Sequence, residues 1–230
     1  MKRGVFVTGT DTGVGKTLAC CALIHALRET GVEVLPMKPI AAGAVERDGR
    51  RANDDSLALL DAAGSDGSIL SDVTPILLRE AMAPHLAARH ENRAIALAPI
   101  GASLERLAAR GRFIVVEGVG GFRVPLGENL DTVDLARAIG FPLVLVVGMR
   151  LGCLNHALLT AESIERSGLR LAGWIANAID PAMAAADENV AALEERLGAP
   201  LLGRLPHRMN PDARSLARHI DARALLEKLE

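Results

Sequence analysis

Aromatic residues are almost missing from this chain. Of 230 residues only Phe6, Phe113, Phe122, Phe141 and Trp174 are aromatic, and there is no tyrosine. That argues against a protein that stacks nucleic-acid bases on aromatic platforms. Lysine is equally scarce: Lys2, Lys16, Lys38 and Lys228 stand against 22 arginines. The three cysteines, Cys20, Cys21 and Cys153, are odd in number and two are adjacent. They form no disulfide framework and match no zinc-ligand spacing. They read as small buried hydrophobes in a reducing compartment. There is no excess of either charge. Lys+Arg is 26 and Asp+Glu is 28, a net charge of -2. This leaves no broad basic footprint for nucleic acid or an anionic membrane. Long hydrophobic runs are absent too. The longest, Phe141–Met149, falls far short of the ~20 residues that span a bilayer. Gly9 and Asp11 break the N-terminal run before the core of a secretory signal forms. A soluble, cytoplasmic protein without nucleic-acid or membrane partners is expected.

What is present is half hydrophobic and 23% charged, a globular composition. At this length a single domain over residues 1–230 buries enough surface to need no staples. Short apolar runs alternate with amphipathic ones. Strands are expected at Gly4–Thr8, Val32–Met37, Thr74–Leu78, Arg112–Glu117, Pro142–Val147, Leu171–Ala176 and Leu201–Leu205. Helices are expected at Lys16–Thr30, Asp54–Ala63, Ile95–Ala109, Thr132–Ile139, Leu154–Ser167, Ala182–Leu197 and Asp221–Leu229. Gly43–Asn53 is polar and reads as a loop. The runs RFIVVE and PLVLVV are continuous in their apolar character, as in central parallel strands buried on both faces. The expected fold is α/β: three α/β/α layers around a mostly parallel sheet. In such sheets ligands gather beyond the carboxyl ends of the strands. Gly9–Thr17, Lys38, Glu117–Gly121, Gly148–His156, Asn177 and Pro206–Arg208 all fall there.

Gly9-Thr-Asp-Thr-Gly-Val-Gly-Lys-Thr17 lies between a strand and a helix and reads as a phosphate-binding loop. Gly13 and Gly15 let the backbone N–H groups turn inward, and the helix N-terminus adds its positive dipole end. Lys16 can neutralise β/γ-phosphate charge and the Thr17 hydroxyl can bind Mg²⁺. The strict pattern asks for Gly where Thr10 stands. Gly118-Val-Gly120-Gly-Phe-Arg123 begins like a dinucleotide fingerprint but ends in Arg, so that pattern fails. Glu117, at the tip of a buried strand, is a candidate metal ligand. Asp55 at a helix start is either a cap or a ligand. Lys38 is singled out because this chain uses Arg almost everywhere else. A Lys suggests a compact donor near a small reacting anion. His25, His85, His90, His156 and His219 sit in no partner motif, and Arg47–Arg51 reads as a solvated loop.

GTDTGVGKT at Gly9–Thr17, KPIAAG at Lys38–Gly43, EGVGG at Glu117–Gly121, VVGMRLGCLNH at Val146–His156 and LAGWIANA at Leu171–Ala178 together resemble the dethiobiotin synthetases. The resemblance runs in order over nearly the whole chain and implies a P-loop NTPase topology. It implies a homodimeric enzyme of biotin synthesis, with ATP as co-substrate and Mg²⁺ as cofactor. CO₂ and 7,8-diaminononanoate would be closed into a cyclic urea through a carbamate and a carbamic–phosphoric anhydride. Lys16 and Lys38 would be catalytic. Thr17, Asp55 and Glu117 would hold the metal. The nucleotide would meet Gly13, Val14, Gly15, Lys16, Thr17, Leu18, Asp55, Glu117, Gly118, Val119 and Gly120. Asn177, Ala178, Pro206, His207 and Arg208 would form the adenine side. The substrate would meet Thr12, Lys38 and Ala42, and, across the dimer interface, Gly152, Cys153, Leu154 and Asn155. The family often has Glu at Gly13, Ser at Ala42 and Lys at Arg150, departures that bear on substrate affinity rather than on reaction type. The rival expectation is a ParA/MinD-like switch ATPase. Its loop carries a signature lysine where this chain has Asp11.

Overall fold

The structure is a computed structural model that describes residues 3–47 and 49–229. Residues 1, 2, 48 and 230 and the side chains of Arg47 and Arg50 lie outside that description, so Lys2 and part of the Arg47–Arg51 segment do too. In chain order the elements are β1 (Gly4–Gly9), α1 (Lys16–Glu29), β2 (Val34–Met37), β3 (Ile40–Ala42), β4 (Val45–Arg47), β5 (Arg50–Ala52) and α2 (Asp54–Ala63). Then come α3 (Leu70–Val73), β6 (Ile76–Leu78), α4 (Pro84–His90), α5 (Leu97–Ala108), β7 (Phe113–Glu117), α6 (Thr132–Ile139) and β8 (Leu143–Met149). The chain closes with α7 (Cys153–Arg166), β9 (Leu171–Ala178), α8 (Ala186–Glu194), β10 (Leu201–Leu205), α9 (Ala213–Leu216) and α10 (Ala222–Leu229).

Six strands form one parallel sheet in the order β10-β9-β8-β1-β7-β2. Alternation along each strand distributes its side chains to two faces. Val5, Val7, Val115, Val144, Val146 and Ile175 turn to the face covered by α1, α2, α9 and α10. Phe6, Leu35, Ile114, Val116 and Leu143 turn to the face covered by α5 and α6. Leu145, Val147, Trp174 and Ala176 extend that second face under α7 and α8. Both faces are dry, so β1, β7 and β8 are apolar along almost their whole length. This is the three-layer α/β/α arrangement. Among the described residues no helix is long and apolar enough to cross a membrane.

Strand order positions the site. The chain runs from β1 out to β2, returns to fill the gap with β7, then crosses β1 to build β8, β9 and β10. The direction of build-out therefore reverses at β1, and the crevice at the carboxyl end of β1 is the topological switch point where ligands bind in open parallel sheets.

Three expectations are corrected. Gly43–Asn53 is not a plain loop: β4 and β5 pair as an antiparallel hairpin, with Val45 opposite Ala52. The polarity of the segment obscured this pairing. The strand expected at Thr74–Leu78 is shorter. It pairs with β3 in a separate two-stranded sheet instead of joining the main one. The helix expected from Ala182 starts only at Ala186, because the Asp180 carboxylate accepts the Ala182 N–H at 2.9 Å and turns the chain first. Helices α3 and α4 were unexpected, each being too short for a clear period.

Phe6 is 1% exposed in the central strand and lies directly beneath Gly118. Phe6→Ala is expected to cost about 3–5 kcal/mol of stability, as for other buried Phe truncations. Urea unfolding measures it, and a loss below about 1 kcal/mol would contradict this placement of the core.

Candidate active site

The loop between β1 and α1 is fastened from both sides. Thr10 N–H donates to Val146 O at 3.0 Å, which extends the β1–β8 ladder by one bond. Val14 is buried beside Gly9 and Gly148, where added Cβ atoms would strike it. Asn177, at the end of β9, donates its amide Nδ2 to Val14 O at 2.9 Å. Gly15 caps α1 at φ 82° and packs so closely that a Cβ would collide with the Asn177 amide. Only glycine satisfies both constraints. Gly13 also has a positive φ, 75°, but a Cβ on it would meet no atom within 4 Å. Glycine there is a backbone choice, not a steric one. The first bond of α1 runs from Ala19 N–H to Gly15 O at 3.0 Å. The N–H groups of Lys16, Thr17 and Leu18 therefore stay available to an anion.

Four ionisable groups meet beside this loop. Glu117 ends β7 with only 1% exposure. Its Oε1 accepts from Lys38 Nζ at 2.5 Å and from the Thr17 hydroxyl at 2.9 Å. Lys38 Nζ also donates to Asp55 Oδ2 at 3.0 Å and approaches Gly118 O at 3.5 Å. The cap of α2 is Asn53, which accepts the Asp55 N–H at 3.1 Å. The Asp55 carboxylate is left to face Lys38. Lys16 Nζ donates to Asp11 O at 2.8 Å. Asp11 in turn accepts the Thr12 N–H at 2.7 Å and pairs with Arg150 at 2.7 Å.

The two lysines are tuned in opposite directions. Burial pushes the Lys16 ammonium below its ordinary value, and Glu117 only partly offsets this. Burial also opposes the charge on Lys38, but Glu117 and then Asp55 outweigh it and hold Lys38 above its ordinary value. Asp55 is half-buried, which favours its neutral form, yet Lys38 and the Thr17 hydroxyl keep its carboxyl below the usual range. Glu117 Oε2 is buried and has no partner among the described residues. An unpaired carboxylate oxygen beside a hydroxyl and a second carboxylate is the oxygen-rich, hard donor set that suits Mg²⁺. The residues present therefore fit the ion.

These groups line one cleft of about 660 Å³. Of the residues expected from sequence, it gathers Thr12, Gly13, Gly15, Lys16, Thr17, Lys38, Ala42, Asp55, Glu117, Val119 and Gly120. Val14 and Leu18 instead pack into the core beneath. Gly118 sits behind the cleft, its N–H bonded to Val7 O at 2.9 Å. Asn177, Ala178 and Pro206–Arg208 meet on the far side of the loop, where His207 Nδ1 lies 3.2 Å from Ala178 O. Gly152–Asn155 form the start of α7, with Gly152 as its N-cap, and do not line the cleft. The Cys153 side chain is buried in the core, so Cys153 can meet a ligand only through its backbone, whereas Asn155 is exposed. Sequence reasoning missed Ala81, Met82, Ala83, Pro84 and Val124, apolar residues of the cleft lining. They carry no chemistry to notice. Ala81–Pro84 arrive because Gly43 and Ala44 bond to Glu80 and Leu78 and continue the β3–β6 pairing, and Val124 is held by bonds in both directions with Thr132. Pro84 at the first turn of α4 was the one available signal.

A family model described as an AAA domain matches residues 3–214. Two curated relatives are ATP-dependent dethiobiotin synthetases BioD. That of Aromatoleum aromaticum is 53% identical over 215 residues, covering 94% of this chain and 95% of the relative. That of Ralstonia nicotianae is 50% identical over 223 residues, covering 97% of each. Among solved structures, the cell division protein FtsY of Thermotoga maritima superposes with a TM-score of 0.56 at 18% identity, over 100% of this chain and 68% of that one. A ParA family ATPase of Chlorobium tepidum does so at 0.55 and 17%, over 100% and 97%. At such identities these structures bear on the fold alone.

Gly15→Ala is expected to weaken ATP binding by at least about tenfold in calorimetry, since the left-handed backbone and the Asn177 contact both penalise a methyl group. Unchanged affinity would contradict the loop geometry. The ion pairs also set a pH signature. The raised Lys38 value makes its contribution complete below pH 10.5 and lost as pH climbs through the folded value. The lowered Asp55 value makes its contribution complete above pH 3.8 and lost as pH falls through the folded value. The stability difference between wild type and Asp55→Asn should be flat from about pH 5 to 9 and shrink on either side. Urea unfolding across pH tests this, and a difference that grows toward acid would refute it.

Proposed function

The chain belongs to the ATP-dependent dethiobiotin synthetase family, and from that premise we propose how its residues divide the work. As a member it is an ATP-dependent ligase that forms dethiobiotin in biotin biosynthesis. The observation that carries the assignment of residues is the polarity of the cleft. Lys38, Thr17, Asp55 and Glu117 are joined in one polar cluster on its wall, and Met82, Pro84, Val119 and Val124 give the same cleft an apolar lining. That layout suits ATP phosphates next to the amines of a substrate whose remainder is an aliphatic chain.

The proposed sequence begins when one amine of 7,8-diaminononanoate attacks CO₂. A C–N bond forms and a proton is lost, leaving a carbamate. A carbamate oxygen then attacks the γ-phosphorus of ATP and ADP departs, giving a carbamic–phosphoric anhydride. The second amine attacks the same carbonyl carbon, phosphate leaves, and the cyclic urea closes. Holding that amine beside the anhydride supplies the high effective concentration of an intramolecular step.

Lys38 serves in this scheme as a fixed positive charge between carbamate and phosphoryl group. Its raised value keeps it protonated at neutral pH, so it is a clamp and not a base. Lys16, anchored on Asp11 O, faces the phosphates together with the free N–H groups of α1. The two lysines are balanced in charge by Glu117 and Asp55. The cluster alone therefore offers a triphosphate no net positive charge. Bound Mg²⁺, held by Thr17, Asp55 and Glu117, would supply that neutralisation at the phosphate oxygens. On the far side of the loop, Nδ2 of Asn177 is committed to Val14 O. Its oxygen is the edge proposed to accept from adenine, with Ala178 and Pro206–Arg208 lining the base. Gly13 to Leu18 and Gly118 to Gly120 would contact the phosphates and ribose.

The turn Gly152–Asn155 lies outside the cleft of its own chain and is flanked by Leu151, which is 94% exposed. Both features support a homodimer in which this turn offers its N–H groups to the carboxylate of the substrate held by a partner. The cytoplasm is the proposed compartment. The fold shared with a ParA family ATPase leaves a switch ATPase as the second reading. Asp11 weighs against it, because the loop then lacks its second cation.

Phosphate release with ATP, Mg²⁺ and bicarbonate is expected to depend on added diaminononanoate, with the cyclic urea detected by mass. Hydrolysis indifferent to the diamine would favour the switch reading. Lys38→Gln should lower turnover by at least about 100-fold while changing ATP affinity by less than about threefold, because its charge acts on the reacting groups. Equal losses in both would reject this role. Light scattering of active enzyme should give a dimer, and a fully active monomer would reject the shared site.

A further inference from the structure

Asp11 sits at the corner of the phosphate loop, and all of its oxygens are engaged. Its main-chain O holds Lys16 Nζ at 2.8 Å, Oδ1 holds the Thr12 N–H at 2.7 Å, and Oδ2 holds Arg150 Nη2 at 2.7 Å. Arg150 is the residue after β8, and its own main-chain O accepts the Cys153 N–H at 3.0 Å, closing the turn into α7. One guanidinium therefore joins the loop that carries Lys16 to the turn that presents Gly152–Asn155. We propose that Arg150 is a positioning residue that couples these two segments through Asp11. The inference rests on the assignment of that turn to the carboxylate end of the substrate.

The coupling is lopsided. The phosphate loop has independent fasteners in the Thr10–Val146 and Val14–Asn177 bonds. Leu151 and Gly152 have far less around them: Leu151 is 94% exposed, and nothing lies within 4 Å of a Cβ placed on Gly152. Loss of the Arg150 contact should therefore loosen the turn and leave the loop in place. Both partners are about half exposed, at 42% and 47%, so the pair contributes little to overall stability. Its effect belongs in recognition of the diamine substrate. Only one guanidinium nitrogen is engaged with Asp11, so a point charge on a flexible stem can replace it.

The test is steady-state kinetics of Arg150→Gln, Asp11→Asn, the double variant and Arg150→Lys, with ATP and 7,8-diaminononanoate each varied. Arg150→Gln and Asp11→Asn are each expected to raise the KM for the diamine by about fivefold or more, with the KM for ATP within about twofold. The double variant should be no worse than either single one, and Arg150→Lys should recover most of the loss. A KM for ATP that rises in step with that for the diamine overturns the proposal. So does an Arg150→Lys enzyme as impaired as Arg150→Gln, or a lowered melting temperature with both KM values unchanged. Wild-type enzyme whose ATP consumption ignores the diamine would overturn the reaction assignment and this inference with it. That failure is distinguishable because it shows before any substitution is made.

Discussion

A carboxylate without access to water must find its counter-charge inside the protein, and Glu117 imposes that demand on everything around it. Its position at the tip of a central strand is dictated by the sheet, and its 1% exposure by the loops above it. The answer comes from three separate segments. Lys38 arrives from the end of β2, Thr17 from the first turn of α1, and Asp55 from α2 as a second partner for Lys38. Deleting one member of such a cluster strands a buried charge, which costs more than the contact itself was worth. The phosphate loop, the Lys38 turn and α2 are therefore held in mutual register by a single electrostatic requirement. The same groups face the cleft.

Where the sequence could be read, it was read through patterns that survive without tertiary knowledge. The continuous apolar runs of β7 and β8 announce burial on both faces, and the glycines before Lys16 announce a backbone that turns its N–H groups inward. The bounds expected for α2, α6 and β10 agree with those observed, because caps and glycines punctuate the two helices and Pro200 and Pro206 flank the strand. Legibility ended where pairing replaced periodicity. The β4–β5 hairpin is polar and held by its partner strand, and the short β3–β6 pair has too few residues to show an alternation. In the site, residues with reactive or charged groups stood out, whereas the apolar wall at Ala81–Pro84 did not. A wall is defined by what it lies next to, and no local feature records that.

Likeness to known proteins falls at two levels. At the level of architecture this chain resembles FtsY and a ParA family ATPase equally well, though their names describe unrelated roles. A parallel sheet with a glycine-rich loop at its switch point is a general answer to holding a polyphosphate. The level that discriminates is sequence likeness over nearly the whole chain, at 50–53% identity to the dethiobiotin synthetases.

The bond from Asn177 to Val14 spans 163 positions of the chain. Synthesis proceeds from the N-terminus at about 5–20 residues per second, so the loop emerges on the order of ten to thirty seconds before its fastener. During that interval β1 and α1 exist without β8 and β9 beside them, and β1 presents a bare apolar edge. Parallel pairing between distant strands forms slowly because a long loop must close first. The nascent chain thus carries its phosphate loop for most of translation without the Asn177 fastener. Premature termination anywhere before β9 would yield fragments that cannot complete the loop and that expose a strand edge prone to association.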